Sequence, residues 1–366
     1  MSTILNDMLR NAVAAKASDI HINVGSPPLF RIHTVVQPTD FPVVTPEGAE
    51  RIAREMMNDA RWAEFQEKRD SDFSYEIPGL SRFRVNAHYQ RGSVAFAFRT
   101  INDKIRPIEQ LFLPDIVHKL TYLPRGLILV TGPTGSGKST TLAAMIDLVN
   151  ATQKKHIITL EDPIEFVHRS KGCLVNQREV HSHTKSFAAA LRAALREDPD
   201  VILVGEMRDL ETISLALTAA ETGHLVFGTL HTKSAPKTID RIIDAFPPAQ
   251  QQQVRVQLAE ALQGVVSQLL LPTKDKKGRV AAFEIMVATV AIRNLIREGK
   301  THQMPSSIQT GTQIGMQSLE QALRNLVMQG RIDRAHAEGV LQSTSSSATL
   351  GPTPTAGAAA PAGAAR

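Results

Sequence analysis

The segment 132–139, GPTGSGKS, has the residue types and the spacing of a loop that binds phosphate. It matches the pattern G-x-x-x-x-G-K-S in full, between a predicted strand at 127–130 and a predicted helix that begins at Thr140. Glycines let backbone N–H groups turn inward around phosphate oxygens, and the helix N-terminus adds a partial positive charge. Lys138 is predicted to reach the β and γ phosphates of a nucleotide, and Ser139 to bind Mg²⁺. The predicted nucleotide-binding residues are Gly132, Thr134, Gly135, Ser136, Gly137, Lys138, Ser139 and Thr140.

Two groups of acidic residues come directly after predicted strands. Glu165 belongs to the segment EDPIE after a strand at 157–160, and Glu206 follows Gly205 after a strand at 201–204. Because parallel sheets bind ligands at the carboxyl ends of their strands, we expect these carboxylates at the rim of the phosphate loop. Hydrolysis of a nucleotide needs a group that orients water and charge that stabilises the leaving phosphate. The acids are candidates for this work, although any single one could instead cap a helix or face solvent.

Two histidines flank a further predicted strand at 225–230. A separation of seven residues, at roughly 3.3 Å per residue, places His224 and His231 about 23 Å apart, so they cannot share one metal ion or one phosphate. We predict that His231 and Thr229, at the carboxyl end, lie near the γ-phosphate, and that His224 contacts a different surface or subunit. Zinc is not expected at these histidines, because they are not a close pair and the chain has one cysteine.

The elements that must position these residues form an α/β pattern from residue 125 to 342. Apolar runs of four to six residues alternate with helical segments, as is typical of parallel strands that are buried on both faces. The pattern predicts a three-layer fold around a mainly parallel sheet. Helices are predicted at 140–149, 186–196, 209–222, 250–271, 290–298 and 319–329, with a short hairpin at 279–286.

The first 105 residues have the pattern of a smaller α+β domain. Residues 106–124 contain three prolines and are predicted to form a linker. Residues 343–366 consist of Ser, Thr, Ala, Gly and Pro almost without large apolar side chains, and they are predicted to be a disordered tail. In the first domain, helices are predicted at 6–17 and 46–68 and strands at 20–24, 29–36, 73–77, 82–89 and 94–100.

Composition excludes several classes of protein. The hydrophobic content of 42% is enough for real cores, and the single cysteine, Cys173, excludes an intramolecular disulfide framework. No run approaches the roughly 18 apolar residues of a membrane span, and the first residues lack the pattern of a signal peptide. The net charge of +5 is scattered along the chain, which does not favour nucleic-acid binding. We therefore expect a protein of the reducing cytoplasm that contacts a membrane only through a partner.

Taken together, the motifs resemble those of the secretion ATPases and, within them, the type IV pilus retraction ATPases. The similarity spans about residues 1 to 340. Its markers are the phosphate loop GPTGSGKST, the aspartate box EDPIEF, an atypical Walker B segment LREDPDVILVGEMRDLETI and the histidine box GHLVFGTLHT. The segment 291–298, AIRNLIRE, resembles the signature that separates retraction ATPases from pilus-extension and type II secretion ATPases. Those relatives usually carry a four-cysteine zinc module, which this chain cannot form.

The resemblance implies a homohexameric ring of chains that bind ATP and Mg²⁺. Each chain would have a RecA-like P-loop domain with an α/β/α core, preceded by the smaller α+β domain, which is PAS-like. Nucleotide would lie between the N-terminal domain of one chain and the RecA-like domain of the same or the next chain. The resemblance makes Glu165 the general base and places Glu206 at Mg²⁺, with His231 in the catalytic set. It also brings Arg84 and Arg99 to the phosphates, although both could be ordinary arginines on a strand face.

The function implied is a cytoplasmic motor at the inner-membrane face that powers pilus retraction and twitching motility. Its partners would be a platform protein of the inner membrane, with a paralogous retraction ATPase as a further candidate, and it would make no direct contact to nucleic acid. Three alternatives stay open: a pilus-extension or type II secretion ATPase, a nucleic-acid translocase of RecA fold, and an inactive paralogue that serves as a ring component. The translocase is disfavoured because the sequence has no basic stripe with interleaved aromatic residues.

Two local features carry further expectations. Members of the family commonly have two strands joined by a tight Asp-Gly turn near the N-terminus, whereas the segment 30–36, FRIHTVV, has no glycine for such a turn. In the predicted helix at 290–298, Ile292, Leu295 and Ile296 share one face, so the other face is expected to leave Arg293 and Arg297 free for other contacts.

Overall fold

The computed structural model describes residues 4–101 and 105–345, and it contains two β-sheets. The predicted disorder of 346–366 lies outside the described residues, whereas residues 343–345 belong to the helix Arg334–Ser345 and not to a tail. No helix in the described ranges is long and apolar enough to cross a bilayer.

The first sheet has six antiparallel strands in the order β3-β2-β1-β6-β5-β4. Its aromatic and aliphatic side chains form one core with three helices, and Phe65, Phe83 and Phe98 are fully buried there. The strands are β1 Asp19–Ile22, β2 Leu29–Ile32, β3 Val35–Pro38, β4 Asp70–Ile77, β5 Ser81–Gln90 and β6 Ser93–Ile101, and the helices are α1 Ile4–Ala14, α2 Pro46–Met56 and α3 Asp59–Lys68.

Two predictions for this domain were wrong in detail. The run 29–36 is not one strand but the hairpin β2–β3, whose two-residue turn uses His33 and Thr34 at positive φ (47° and 72°) in place of glycine. The segment 46–68 is two helices, because Asn58 leaves the helical conformation and its side chain accepts the N–H of Arg61 at 2.9 Å. A side-chain cap of this kind begins a new helix.

The segment 106–124, predicted as a linker, is not extended. It contains a 3₁₀ turn, Ile108–Leu111, and the helix α4, Asp115–Thr121. Ile108, Val117 and Leu120 are buried against the second sheet, so much of this segment packs on the second domain. The domain division at residues 105 and 125 stays a prediction.

The second sheet has seven strands in the order β13-β12-β7-β11-β10-β8-β9, all parallel except β13. The strands are β7 Gly126–Thr131, β8 His156–Glu161, β9 Leu174–Glu179, β10 Val201–Val204, β11 Leu225–Leu230, β12 Leu262–Pro272 and β13 Arg279–Val287. The helices are α5 Lys138–Thr152, α6 Phe187–Ala194, α7 Leu210–Glu221, α8 Ala235–Asp244, α9 Pro248–Ala261, α10 Val290–Arg297, α11 Met304–Thr310, α12 Leu319–Met328 and α13 Arg334–Ser345.

Alternate residues of the central strands point into two cores. Leu127 and Leu129 of β7 pack with α6 to α10, whereas Ile128 and Val130 pack with α4 and α5. Since strands covered on both faces are apolar throughout, this arrangement explains their continuous hydrophobic runs. The sheet therefore lies between two helical layers, and the carboxyl ends of its parallel strands share one edge.

The prediction of a helix over 250–271 was wrong after residue 261. Helix α9 ends at Ala261, and Leu262–Pro272 is the strand β12, which pairs with β7 and with β13. The run LQGVVSQLLL is apolar without a clear period, and periodicity alone cannot separate a buried strand from a buried helix. The expectation of free arginines on α10 was wrong for Arg293, which donates to the backbone carbonyls of Ala259 and Glu260.

Candidate active site

The phosphate loop joins β7 to α5 in a conformation that requires glycine. Gly132 (φ 144°) and Gly137 (φ 91°) both adopt left-handed backbone angles. A Cβ atom on Gly132 would overlap with the backbone oxygen of Gln268, and one on Gly137 would lie 3.1 Å from that residue's Nε2. Neighbouring strand β12 therefore packs directly against the loop.

Lys138 is the first residue of α5 and is only 9% exposed. Its Nζ donates to the loop's own carbonyls, Gly132 O at 2.9 Å and Pro133 O at 3.1 Å. Burial lowers the pKa of Lys138, and the negative charges of Glu206 and Glu165 oppose this effect. The ammonium group thus contacts the loop's own carbonyl oxygens, and the charges of Glu206 and Glu165 act on it without a direct ion pair among the described residues.

Glu206 reaches the site because Gly205 lets β10 lie close to β8. A Cβ on Gly205 would be 2.9 Å from the oxygen of Leu160, which already accepts the Gly205 N–H at 2.7 Å. A side chain at the end of the strand would separate the two strands, so the acid comes one residue later. Its Oε1 lies 3.0 Å from Nε2 of His231 and also pairs with Arg208.

The aspartate box is the loop after β8, and a hydrogen bond to the half-buried side chain of Glu161 holds its backbone. Glu161 Oε1 accepts from Thr159 Oγ1 at 2.6 Å, and Oε2 accepts the N–H of Glu165 at 3.4 Å. Burial raises the pKa of Glu161. The Glu165 side chain is exposed and lines the cavity, as does that of Asp162, so both carboxylates are open to an incoming water.

Strand β9 supports the same loop, and this support was not predicted. Gln177 accepts the N–H of His168 at 2.7 Å and donates to Phe166 O at 2.8 Å and to Glu161 Oε1 at 3.1 Å. His168 is 8% exposed and burial lowers its pKa to about 4, so the ring is neutral at physiological pH. The segment LVNQRE is short and mostly polar, which explains why its pattern does not indicate a strand in a parallel sheet.

One cavity of about 530 Å³ brings together most of the predicted site residues. Those that line it are Thr134, Gly135, Gly137, Lys138, Ser139, Thr140, Glu165, Glu206, His231, Arg84 and Arg99, together with Thr229. Gly132 and Ser136 are buried residues of the phosphate loop and do not line the cavity. His224 lies at the opposite end of β11, where its Nδ1 is 2.9 Å from the Ala219 oxygen.

The two arginines enter this cavity from the first sheet. Arg84 of β5 and Arg99 of β6 are directly paired across the two strands, and both side chains are exposed. Arg99 Nε donates to Asp19 Oδ1 at 3.0 Å, whereas Arg84 makes no hydrogen bond or ion pair within the part of the chain that the structure describes. Two guanidinium groups opposite a phosphate loop can add charge to a bound polyphosphate.

Gln268 is a further residue of the site that the sequence did not reveal. It is 3% exposed on β12, and its Nε2 donates to the backbone oxygen of Ser136 at 2.6 Å. No group of three or more His, Cys, Asp or Glu side chains among the described residues could enclose a metal ion. Ser139 and Glu206 still suit Mg²⁺, which is usually held by one or two protein oxygens and by the phosphates.

Comparisons with known proteins agree with this geometry. A family model described as "Type II/IV secretion system protein" matches residues 1–339. The chain is 54% identical over 333 residues to the type IV pilus retraction ATPase PilT of Pseudomonas aeruginosa, which covers 91% of this chain and 96% of PilT. It is 55% identical over 305 residues to a twitching motility protein of Neisseria gonorrhoeae, which covers 83% of this chain and 82% of that protein.

A solved structure is similar over the same range. The crystal structure of the pilus retraction motor PilT with bound ADP superposes with a TM-score of 0.85 at 52% identity, and it covers 92% of this chain and 96% of PilT. The resemblance and the fold class predicted from the motifs are confirmed. The protein belongs to the type II/IV secretion system protein family.

Proposed function

We propose that this protein is an ATP-hydrolysing motor that powers the retraction of type IV pili. The observation that carries the proposal is the single cavity in which the phosphate loop, two glutamates and two arginines meet. The similarity to PilT, whose solved structure has bound ADP, supports both the nucleotide and the retraction role.

The chemistry divides between named side chains. When nucleotide binds, Lys138 Nζ leaves the carbonyl oxygens of Gly132 and Pro133 and donates to phosphate oxygens, which are stronger acceptors because they are charged. Glu165 orients and deprotonates the attacking water, and Arg84 and Arg99 stabilise the charge that develops on the phosphates. Ser139 and Glu206 would hold Mg²⁺, which when bound neutralises phosphate charge.

His231 links the two sides of the phosphate site. Its Nε2 lies 3.0 Å from Glu206, and its Nδ1 lies 3.5 Å from Lys138 Nζ. A ring between the carboxylate and the ammonium can hold both in place until nucleotide arrives.

The active form would be a homohexameric ring at the cytoplasmic face of the inner membrane. There it would pass domain motion to a platform protein of that membrane, with a paralogous retraction ATPase as a possible second partner. The family resemblance supports these assignments, and the AIRNLIRE segment favours retraction over pilus extension or type II secretion.

The test starts from ATP hydrolysis. Glu165→Gln should lower kcat by about 10²–10⁴ and leave the affinity for a fluorescent ADP analogue near that of the wild type, because a general base acts on water and not on binding. Lys138→Ala, the control, should abolish both. A kcat of Glu165→Gln within about twofold of wild type would contradict the base assignment.

The cellular role needs a separate experiment. In a strain that lacks the gene, fluorescently labelled pili should extend and fail to shorten, and the wild-type chain but not Lys138→Ala should restore shortening. Loss of pilus extension instead would favour the extension ATPase, and ATP hydrolysis stimulated by DNA would favour the translocase. Absence of ATP hydrolysis in the wild-type chain would favour the inactive ring component.

A further inference from the structure

Glu179, the last residue of β9, connects the two β-sheets through a nearly inaccessible carboxylate. Its side chain is 3% exposed, and Oε2 lies 2.7 Å from Nη2 of Arg82 on β5. Oε1 accepts from Ser74 Oγ on β4 at 2.7 Å, and the same Arg82 nitrogen also donates to that hydroxyl at 2.7 Å. Three polar groups from both domains therefore form a closed, buried triangle.

The same carboxylate holds the aspartate box. Glu179 Oε2 accepts the backbone N–H of Ile164 at 3.0 Å, and Ile164 directly precedes Glu165. Burial alone would raise the pKa of Glu179, but hydrogen bonds from Ser74 and Ile164 and the charge of Arg82 outweigh it and lower the pKa. The carboxylate thus stays ionised and keeps all of these partners.

In the first sheet, the Glu179–Arg82 ion pair holds strand β5, which also carries Arg84 of the cavity. Arg82 and Arg84 are two residues apart on β5, so their side chains leave the same face of the sheet. Arg84 is paired across the strands with Arg99. The Glu179 carboxylate therefore contacts Ile164, the residue before the proposed base Glu165. It also contacts Arg82, which lies two residues before the proposed phosphate-binding Arg84.

We propose that Glu179 is a positioning residue that sets the distance between Glu165 and the arginines of the N-terminal domain. The proposal rests on the proposed roles of Glu165 and Arg84. When the N-terminal domain moves away from the second sheet, the Glu179–Arg82 contact breaks. The aspartate box, which carries Glu165, is then no longer aligned with Arg84. The Glu179–Arg82 contact thereby links closure of the N-terminal domain on the second sheet to the alignment of Glu165.

The test uses a double-mutant cycle on the full chain. Glu179→Gln and Arg82→Ala should each lower kcat by about tenfold to hundredfold, because small misplacements of reacting groups have effects of this size. Both variants should bind the fluorescent ADP analogue within about twofold of wild type, since the phosphate loop is untouched. The double variant should lie within about twofold of the slower single variant, because residues of one contact are not additive.

Two further variants separate positioning from folding. Ser74→Ala removes the two hydrogen bonds of the Ser74 hydroxyl and leaves Glu179 and Arg82 paired, so it should lower kcat by a smaller factor with a thermal midpoint close to that of the wild type. Arg82→Lys, which retains the charge, should recover part of the loss. Arg178→Ala is the matched control, because Arg178 is adjacent on β9 and pairs with Glu197 at 2.8 Å; its kcat should match wild type.

Several outcomes would overturn the inference. These are additive losses in the double variant, an equal loss of kcat in Arg178→Ala, or a fall in ADP-analogue affinity as large as the fall in kcat. Glu165→Gln is measured in parallel. If that variant is inactive while the Glu179 variants are normal, the positioning role alone fails, whereas a normal Glu165→Gln contradicts the proposed base itself.

Discussion

His168 is a neutral histidine enclosed beside the nucleotide cavity, and this has a consequence for stability in acid. Its folded pKa is about 4 against an ordinary value of 6.5. Between these two values only the unfolded chain binds a proton at this ring. The stabilisation that the neutral ring provides is therefore complete above pH 6.5 and is lost as the pH falls toward 4, by up to about 3 kcal/mol.

We predict that His168→Gln makes stability less sensitive to acid. Between pH 7.5 and pH 5 the wild-type free energy of unfolding should fall by about 2 kcal/mol more than that of the variant. Denaturant titrations at the two pH values measure this difference. His336→Gln is the control, because His336 is exposed and should not alter the pH dependence. Equal pH dependence in wild type and His168→Gln would show that the ring is not held neutral.

At the scale of elements, β12 braces the phosphate loop. The strand brings the backbone and the side chain of Gln268 against the loop at Gly132, Ser136 and Gly137. Both the Oε1 of Gln268 and the Oγ of Ser136 are buried without a hydrogen-bond partner among the described residues. Strand β12 thus holds the loop through one side-chain hydrogen bond, from Gln268 to Ser136 O, and through close packing.

Removal of that contact should weaken nucleotide binding. We expect Gln268→Leu to raise the Kd for the fluorescent ADP analogue by about fivefold. The lost hydrogen bond stabilises the binding conformation of the loop by about 1 kcal/mol. Gln253→Leu, at an exposed position of α9, should bind as the wild type does. An unchanged Kd in Gln268→Leu would mean that glycine packing alone shapes the loop.

The elements also show how far sequence patterns extend. The strand–loop–helix from β7 to α5 and the ends of β8, β10 and β11 could be predicted, because their apolar runs and glycines follow directly from burial on both faces. Strand β9 could not, since Leu174 is exposed and the strand is largely polar. Strand β12 could not either, because its run of leucines and valines fits a helix equally well. Gln177, Glu179 and Gln268 were missed because they lie on these two strands.

At the scale of the whole molecule, the cavity is built by one chain. The same cavity is lined by Arg84 of the first sheet and by Lys138 of the second. The sequence did not decide whether the N-terminal domain at the nucleotide site belongs to the same chain or to the next one. The contacts of Glu179 with Ser74 and Arg82 hold the two sheets of one chain in this arrangement. Each chain of a ring would therefore carry its own arginine and its own lysine.

This arrangement predicts the result of a mixing experiment. Arg84→Ala and Lys138→Ala chains, each inactive, should stay inactive when they are co-assembled in equal amounts, because every cavity then lacks one of the two groups. Mixtures of wild-type and Lys138→Ala chains are the control for co-assembly. ATPase activity in the first mixture above the sum of its components would mean that one chain supplies the arginine to the next.

The close approach of β10 to β8 at Gly205 also affects how such sites are recognised. A search for the usual strand that ends in aspartate would pass over VILVGEMRD or align Asp209 with the missing acid. Asp209 instead caps α7, where its Oδ1 accepts the N–H of Thr212 at 2.8 Å. Alignment of these proteins with other nucleotide hydrolases should therefore follow the contact between backbones and not the identity of the residue that ends the strand.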